Sequence, residues 1–459
     1  MTTPSGADSL PPGMLVTGGT AQVQLWKALD KHESLYEFMH ELGRVGRALD
    51  SDGVLQSKNF AVNKTAKAFR DAAGGKWDMM AVLHSMPRSM VRAIVLGTVA
   101  FDDYGRGLES YTWPSTTSHT DRQGVYVIGL RRVGHDGRFL TAGEAKLLID
   151  GLNQYTAAAR RALWPVTGPA TERQHAAAQL MARVDARVAG KGNWQIVSPR
   201  FITSEENMEH VRALVGSLRR VVGQMEAVGM DAGERMAQSP LYVGCSTNLL
   251  ARLADYELSQ DFRSVNNKLA VTTSMLLELD LPVELVARMA VRTWMPTQLA
   301  VAEHLVVTMA SSLVYQGGFN ATQAGERHGT WSGCDDARQL VLGRTPYLRD
   351  NLACTLGDIA DRARFETELN AFLEDLDKSE ADMLDAEVEA AAAAPYLHVD
   401  CDVLIQSLEA RVAQVKIALK EAQEDYETAQ VLARLARISL HGARGSTAPA
   451  DAPADAHET

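Results

Sequence analysis

Residues 241 to 256, Leu-Tyr-Val-Gly-Cys-Ser-Thr-Asn-Leu-Leu-Ala-Arg-Leu-Ala-Asp-Tyr, constrain the fold more tightly than any other stretch of the chain. Pro240 opens a short run with aromatic and β-branched residues, which predicts a strand over Leu241 to Gly244. A turn comes next, and Asn248 to Tyr256 reads as a helix that places Arg252 and Tyr256 one turn apart on one side. Strand, turn and helix in so few residues put a phenol, a glycine, a guanidinium and a second phenol close together.

Farther on, Leu285 to Trp294 predicts another strand. Pro296 and Thr297 then start a helix with Leu299, Ala302, Leu305, Val306, Met309 and Leu313 along one side. Glu303 stands beside that apolar stripe, and Gly317-Gly-Phe-Asn320 closes the segment. Upstream, Gly124 to Arg132 is a β-branched strand candidate ended by the Gly134 to Gly137 turn, and Asn193 to Thr203 is a further strand candidate.

The rest reads as helix. Aromatics are 6% of 459 residues while Ala, Leu, Val, Glu and Arg abound, and mostly unbranched side chains lose little freedom in a helix. Helical periods cover Ala21 to Leu49, Ala66 to Asp71, Met79 to Val99, Ala142 to Leu163 and Ala170 to Val188. Glu205 to Gly229 is another, with Ser204 as its N-cap. Cys401, Ile405, Leu408, Val412, Val415, Leu419, Ala422, Tyr426, Ala429, Ala433, Ala436 and Leu440 have heptad spacing. With Phe365 to Val388 as a partner this predicts an antiparallel hairpin; a dimerising coiled coil is the equal alternative.

The expected fold class is α+β and predominantly helical. Its expected parts are a tail over 1–20, an N-terminal helical region over 21–122 and a mixed domain with a long helical insertion over 123–325. A connecting region over 326–364, the hairpin or coiled coil over 365–441 and a second tail over 442–459 complete it.

Hydrolysis of a phosphodiester needs a positioned nucleophile, a proton acceptor, positive charge on the phosphoryl oxygens and a stabilised leaving oxygen. A phenol can orient or deprotonate water, Arg252 offers a planar fork to phosphate oxygens, and one carboxylate such as Glu303 suffices to anchor Mg²⁺. Tyr242-Val-Gly244, Asn248-Leu249, Arg252 and Tyr256 resemble the second half of the GIY-YIG nuclease motif and its helix. Glu303 and Asn320 resemble that family's metal-binding glutamate and the asparagine that ends its core. The resemblance covers about Pro240 to Gly325.

It implies a small three-stranded antiparallel sheet flanked by helices and a metal-dependent endonuclease using Mg²⁺ or Mn²⁺, with DNA ahead of RNA as substrate. It also implies roles: Tyr242 and a first-motif tyrosine on the nucleophile, Arg252 on phosphate, Tyr256 on proton transfer or phosphate, Glu303 on the metal, and Gly244 and Asn320 as structural supports. The family's Gly-Ile-Tyr strand lies about ten residues before the second motif, and Gly229 to Ser239 holds no such strand. Gly124-Val125-Tyr126 matches by residue type, so Tyr126 is the expected first phenol; Trp194-Gln-Ile-Val is nearer but lacks the tyrosine. A long insertion between the halves costs little closure entropy, which grows only logarithmically with length.

The net charge of −11 argues against broad attraction to nucleic acid. Lys191 to Gly325 is closer to balance, with eleven Lys and Arg against thirteen Asp and Glu. The alternative reading is a catalytically inactive scaffold of this fold, acting as an interaction protein through its heptads, as a homo-oligomer or with other partners. His304 has no second histidine at helical zinc spacing, Cys245 reads as a small buried thiol, and no glycine run has a phosphate-loop lysine. Four scattered cysteines, the absence of a secretory signal pattern and charges within the most apolar stretch place the expected protein in the cytoplasm or nucleus, off the membrane.

Overall fold

The computed structural model describes residues 20–51, 75–106, 123–165, 169–187, 199–256, 265–321, 329–331, 333–344, 346–393 and a few between 409 and 432. It divides into two units, 1–348 and 349–459.

The first unit is built on three antiparallel strands, β1 (Gly124–Arg132), β2 (Tyr242–Ser246) and β3 (Val283–Arg292), in the order β2-β1-β3. Thus β1 is central, and it is buried along almost its whole length, as expected of a strand covered on both faces. Tyr126 lies directly opposite Gly244 and Ile128 opposite Tyr242. On its other side β1 pairs with β3 through an irregularity between Val125 and Tyr126, the kind of bulge that re-aims a side chain.

One face of the sheet carries Tyr126, Ile128, Leu130 and Met289 into a core shared with α6 (Ala142–Leu163), α7 (Glu172–Arg187), α8 (Glu205–Ala227) and α10 (Asn267–Glu278). Because side chains alternate along a strand, Val125, Val127, Val243 and Cys245 point the other way. That opposite layer holds α11 (Gln298–Ala310), which packs on β1, β2, α3 (Gly75–His84) and α4 (Arg88–Leu96), while α5 (Val99–Arg106) also rests on the sheet. The N-terminal helices therefore form a wall of the sheet domain.

Local chemistry explains where the helical periods break. The expected helix over Ala21 to Leu49 is two, α1 (Thr20–Lys31) and α2 (Tyr36–Ser51), and the Arg88 guanidinium donates to the carbonyls of Leu29, His32 and Glu33 at the α1 terminus. Met79 to Val99 is split at Pro87, which lacks the N–H and clashes with the preceding turn. Ala66 to Asp71 lies outside the described residues. The Ser204 cap falls where expected, its hydroxyl accepting from Asn207 N at 3.1 Å. Thr141 and Glu144 close a reciprocal box at the start of α6.

The strand expected over Asn193 to Thr203 is not seen in its described part, Pro199 to Thr203. There Arg200 N–H donates to the Asp185 carboxylate at 3.2 Å and Phe201 N–H to the Tyr155 hydroxyl at 3.2 Å. These donors are committed to side chains instead of a sheet neighbour. Tyr155 in turn donates to Asp185 at 2.6 Å, joining α6 to α7, and burial pushes the Asp185 carboxyl up to about 6.

Asn320 guards the free edge of β2. Its Oδ1 accepts from Val243 N at 2.9 Å and its amide donates to Val243 O at 2.7 Å, so both outward backbone groups of a fully buried residue are satisfied. Replacing Asn320 with leucine is expected to lower unfolding free energy by about 2 kcal/mol or more, because two buried peptide groups lose their partners. An unchanged urea midpoint would remove this support role.

Beyond α12 (Cys334–Gln339) runs one long helix, α13 (Tyr347–Ala393), which makes up most of the described chain of the second unit. Phe365, Leu384 and Val388 are exposed on it. The heptad stretch from Cys401 to Leu440 lies outside the described residues apart from a handful of positions.

Candidate active site

The turn after β2 is fixed by its own side chains. Ser246 Oγ donates to Asn248 O at 2.8 Å and accepts from Asn248 N at 3.0 Å, and Asn248 Oδ1 then caps α9 (Leu249–Ala254) by accepting from Ala251 N at 3.0 Å. This cap aims the helix so that Arg252 and Tyr256 return over the β1–β2 pair.

There they meet Tyr126. The Tyr126 and Tyr256 hydroxyls are 3.0 Å apart; Arg252 Nε–H donates to Tyr126 at 3.2 Å, and a terminal guanidinium nitrogen donates to Tyr256 at 3.2 Å. The other terminal nitrogen pairs with Asp255 at 3.0 Å, and the guanidinium lies 5.2 Å from the centre of the Tyr256 ring. The Tyr242 ring completes a triangle, its centre 6.2 Å from Tyr126 and 5.9 Å from Tyr256. Three phenols and one guanidinium from segments far apart in the chain thus form one cluster.

The members differ in access. Tyr126 and Tyr256 are 1% and 3% exposed, while Tyr242 and Arg252 are half-buried. Burial, reinforced by the neighbouring Tyr242 ring, holds the Tyr126 and Tyr256 hydroxyls well above the usual phenol range. Both are neutral at physiological pH and suit hydrogen bonding better than proton abstraction. Each accepts from Arg252 and only one hydrogen is used between them, so the second phenolic hydrogen is left for an acceptor outside the pair.

Gly244 makes the cluster sterically feasible. A Cβ there would stand 2.5 Å from the Tyr126 hydroxyl and 2.6 Å from Cζ. The ring has no free end to move, since its hydroxyl is tied to Arg252 and Tyr256. Gly244→Ala is therefore expected to cost about 1–3 kcal/mol of stability, as overpacking does. A wild-type melting curve with unchanged tyrosine fluorescence would show that the ring moves freely aside.

No protein-family profile, curated protein or solved structure matches this chain. The candidate site rests on its own geometry.

Glu303 corrects one expectation. Its carboxylate accepts from the Cys245 thiol at 3.0 Å, with the two residues 9% and 6% exposed. Cys245 points away from the face on which the Tyr126 ring covers Gly244, so edge strand β2 divides the carboxylate from the phenols. The roles that the resemblance gives to Tyr126, Tyr242, Arg252, Tyr256 and Glu303 thus fall on a phenol–guanidinium cluster on one face and a thiol–carboxylate pair on the other. The physical reason is α11, whose apolar stripe packs it on the opposite layer and carries Glu303 with it.

As a donor, Glu303 still suits a hard cation. Mg²⁺ is commonly held by one or two carboxylates with water elsewhere, and a thiol is a weak hydrogen-bond donor that a cation can displace. Among the described residues no group of three or more acidic, histidine or cysteine side chains is arranged as a metal cage. Nor, among them, is any helix long and apolar enough to cross a membrane.

The Cys245–Glu303 contact was missed from the sequence, where the thiol read as filler. The alternation of side chains along Leu241 to Ser246 held the signal, since it sets Cys245 opposite Gly244.

Proposed function

We propose that this chain is a GIY-YIG-like endonuclease, a metal-dependent hydrolase of phosphodiester bonds acting on DNA before RNA in the cytoplasm or nucleus. One observation carries the reading. Gly124-Val125-Tyr126, more than a hundred residues upstream, pairs with Tyr242-Val243-Gly244 and delivers its phenol to the Arg252 and Tyr256 of the second half-motif. Chance packing would have no reason to bring the displaced half-motif to this strand in a register that sets its tyrosine on the glycine.

In this reading Arg252, its side chain 24% exposed, turns part of its fork from Asp255 to a phosphoryl oxygen. The spare phenolic hydrogen of the Tyr126–Tyr256 pair contacts a second oxygen. Tyr242, the more open phenol, faces the attacking water. Glu303 is the carboxylate that would hold Mg²⁺ or Mn²⁺, a cation that supplies charge neutralisation and a more acidic bound water when present, and β2 stands between it and the phenols. Gly244 and Asn320 hold the strand that carries Tyr242.

A second reading is favoured by a specific observation, the burial of Glu303 against Cys245 beyond the sheet from the phenols. A scaffold that kept the fold without hydrolysis would act as an interaction protein, with the exposed apolar side chains of α13 and the heptads as its means of self-association. Incubating the purified protein with single-stranded, duplex and branched DNA in Mg²⁺ and Mn²⁺ separates the two. Cleavage suppressed by chelation supports the nuclease. Intact substrates, with a concentration-dependent oligomer, support the scaffold.

A further inference from the structure

Part of the insertion that splits the motif carries a local positive charge. Between residues 160 and 200 the basic side chains are Arg160, Arg161, Arg173, Arg183, Arg187, Lys191 and Arg200, against Glu172 and Asp185; seven minus two gives +5 in a protein of −11. Asp185 is buried against Tyr155, which leaves Glu172 as the acidic side chain of this stretch near solvent.

The positive charge is not all neutralised internally. Arg183 and Arg187 share Glu278, at 2.6 and 3.0 Å. Among the described residues, Arg160 and Arg173 have no ion-pair partner, and both are exposed. Arg161 and Arg173 border a cleft of about 780 Å³ between α6 and α7. Much of its lining is alanine, including Ala158 and Ala177, with Met181 as the one large apolar side chain, so small side chains leave room between the helices. Asn153, Gln154 and Gln174 add neutral polar groups, and Asp150 is the acidic member of the lining. Arg161 donates to Gln174 Oε1 at 2.7 Å across the cleft, which already fixes the spacing of the two walls.

Arginine forks with amide neighbours and little acid suit the phosphodiester backbone, whose binding is driven by counterion release at local basic patches whatever the net charge of the protein. We infer that the α6–α7 cleft is a nucleic-acid backbone site, separate from the phenol–guanidinium cluster, and that the insertion serves to hold substrate by its phosphates. This rests on the nuclease reading and supplies what that reading needs, an anchor on an otherwise acidic protein.

The experiment is fluorescence anisotropy of the full-length chain with a labelled 30-nucleotide single strand and its duplex, from 50 to 200 mM salt. It compares wild type, Arg252→Ala and the triple variant Arg160→Ala, Arg161→Ala, Arg173→Ala. Each phosphate contact contributes about 0.7 to 0.9 to the slope of log affinity on log salt, so the triple variant is expected to lower that slope by about 2 to 3. Affinity at 100 mM salt should fall at least about tenfold, while Arg252→Ala, which removes a single phosphate contact, should lower the slope by about 1. Should the triple variant fold poorly, Arg173→Ala, on an exposed site, should lower the slope by about 1. Wild-type binding with an unchanged slope in the triple variant would overturn the cleft while leaving the nuclease standing. A wild-type protein that neither binds nor cuts either DNA would overturn both.

Discussion

In the nuclease reading, replacing Arg252 with alanine is expected to reduce cleavage by about 10²–10³-fold while removing no more than one phosphate contact from binding. Arg252 makes the polar contacts of the cluster other than the Tyr126–Tyr256 hydroxyl pair: Nε–H on Tyr126, one terminal nitrogen on Tyr256 and the other on Asp255. Positive charge aimed at a developing oxyanion in a partly dry site typically contributes that much to rate. The guanidinium also sets the phenols, so its loss leaves two buried hydroxyl oxygens with one fewer donor each. Arg252→Lys separates these effects. It keeps the charge and loses the planar fork, so a cleavage rate near that of alanine would assign the effect to geometry, and a rate near wild type would assign it to charge alone. The readout is single-turnover cleavage of labelled DNA at saturating protein, with melting temperature measured in parallel. A loss below tenfold in Arg252→Ala would remove this residue from the chemistry.

The strand–turn–helix of 241–256 was legible because its signals are local: Pro240 before the strand, Asn248 at the helix start, and Arg252 and Tyr256 at helical spacing. The pairing of Tyr126 was legible only by residue type. Nothing near Gly124 announces a partner more than a hundred residues away, and the core that α6, α7, α8 and α10 build over that face is a product of tertiary packing. The false strand at Pro199 to Thr203 shows the complementary failure. Its β-branched residues suit a strand, yet Tyr155 and Asp185 take the backbone donors a neighbour would need. Glu303 was correctly placed on a helix beside an apolar stripe. Which sheet face that stripe would cover depended on the parity of β2 and on the N-terminal helices α3 and α4, and no spacing within Pro296 to Leu313 encodes either.

Glu303→Gln and Glu303→Ala decide between hydrolysis and scaffold, because the two readings predict opposite balances of activity and stability. If the carboxylate holds the metal, either change should lower Mg²⁺-supported cleavage at least about a hundredfold, since several kcal/mol of charge stabilisation depends on the cation and each 1.4 kcal/mol is tenfold. Calorimetric titration with Mn²⁺ should lose its binding heat in both variants, a readout independent of activity. In Glu303→Gln stability should hold or rise, because a nine-tenths-buried carboxylate is an expensive group to desolvate and glutamine offers the same oxygen without the charge. If the carboxylate is structural, the thiol–carboxylate pair locks α11 to β2. Alanine, which opens a void there and takes that acceptor from Cys245, should then lower the melting temperature, with no Mn²⁺ heat in the wild type to lose. The arrangement makes the distinction sharp: Glu303 is separated by β2 from Tyr126, so its removal can silence the metal without disturbing the hydroxyl network of Arg252, Tyr126 and Tyr256.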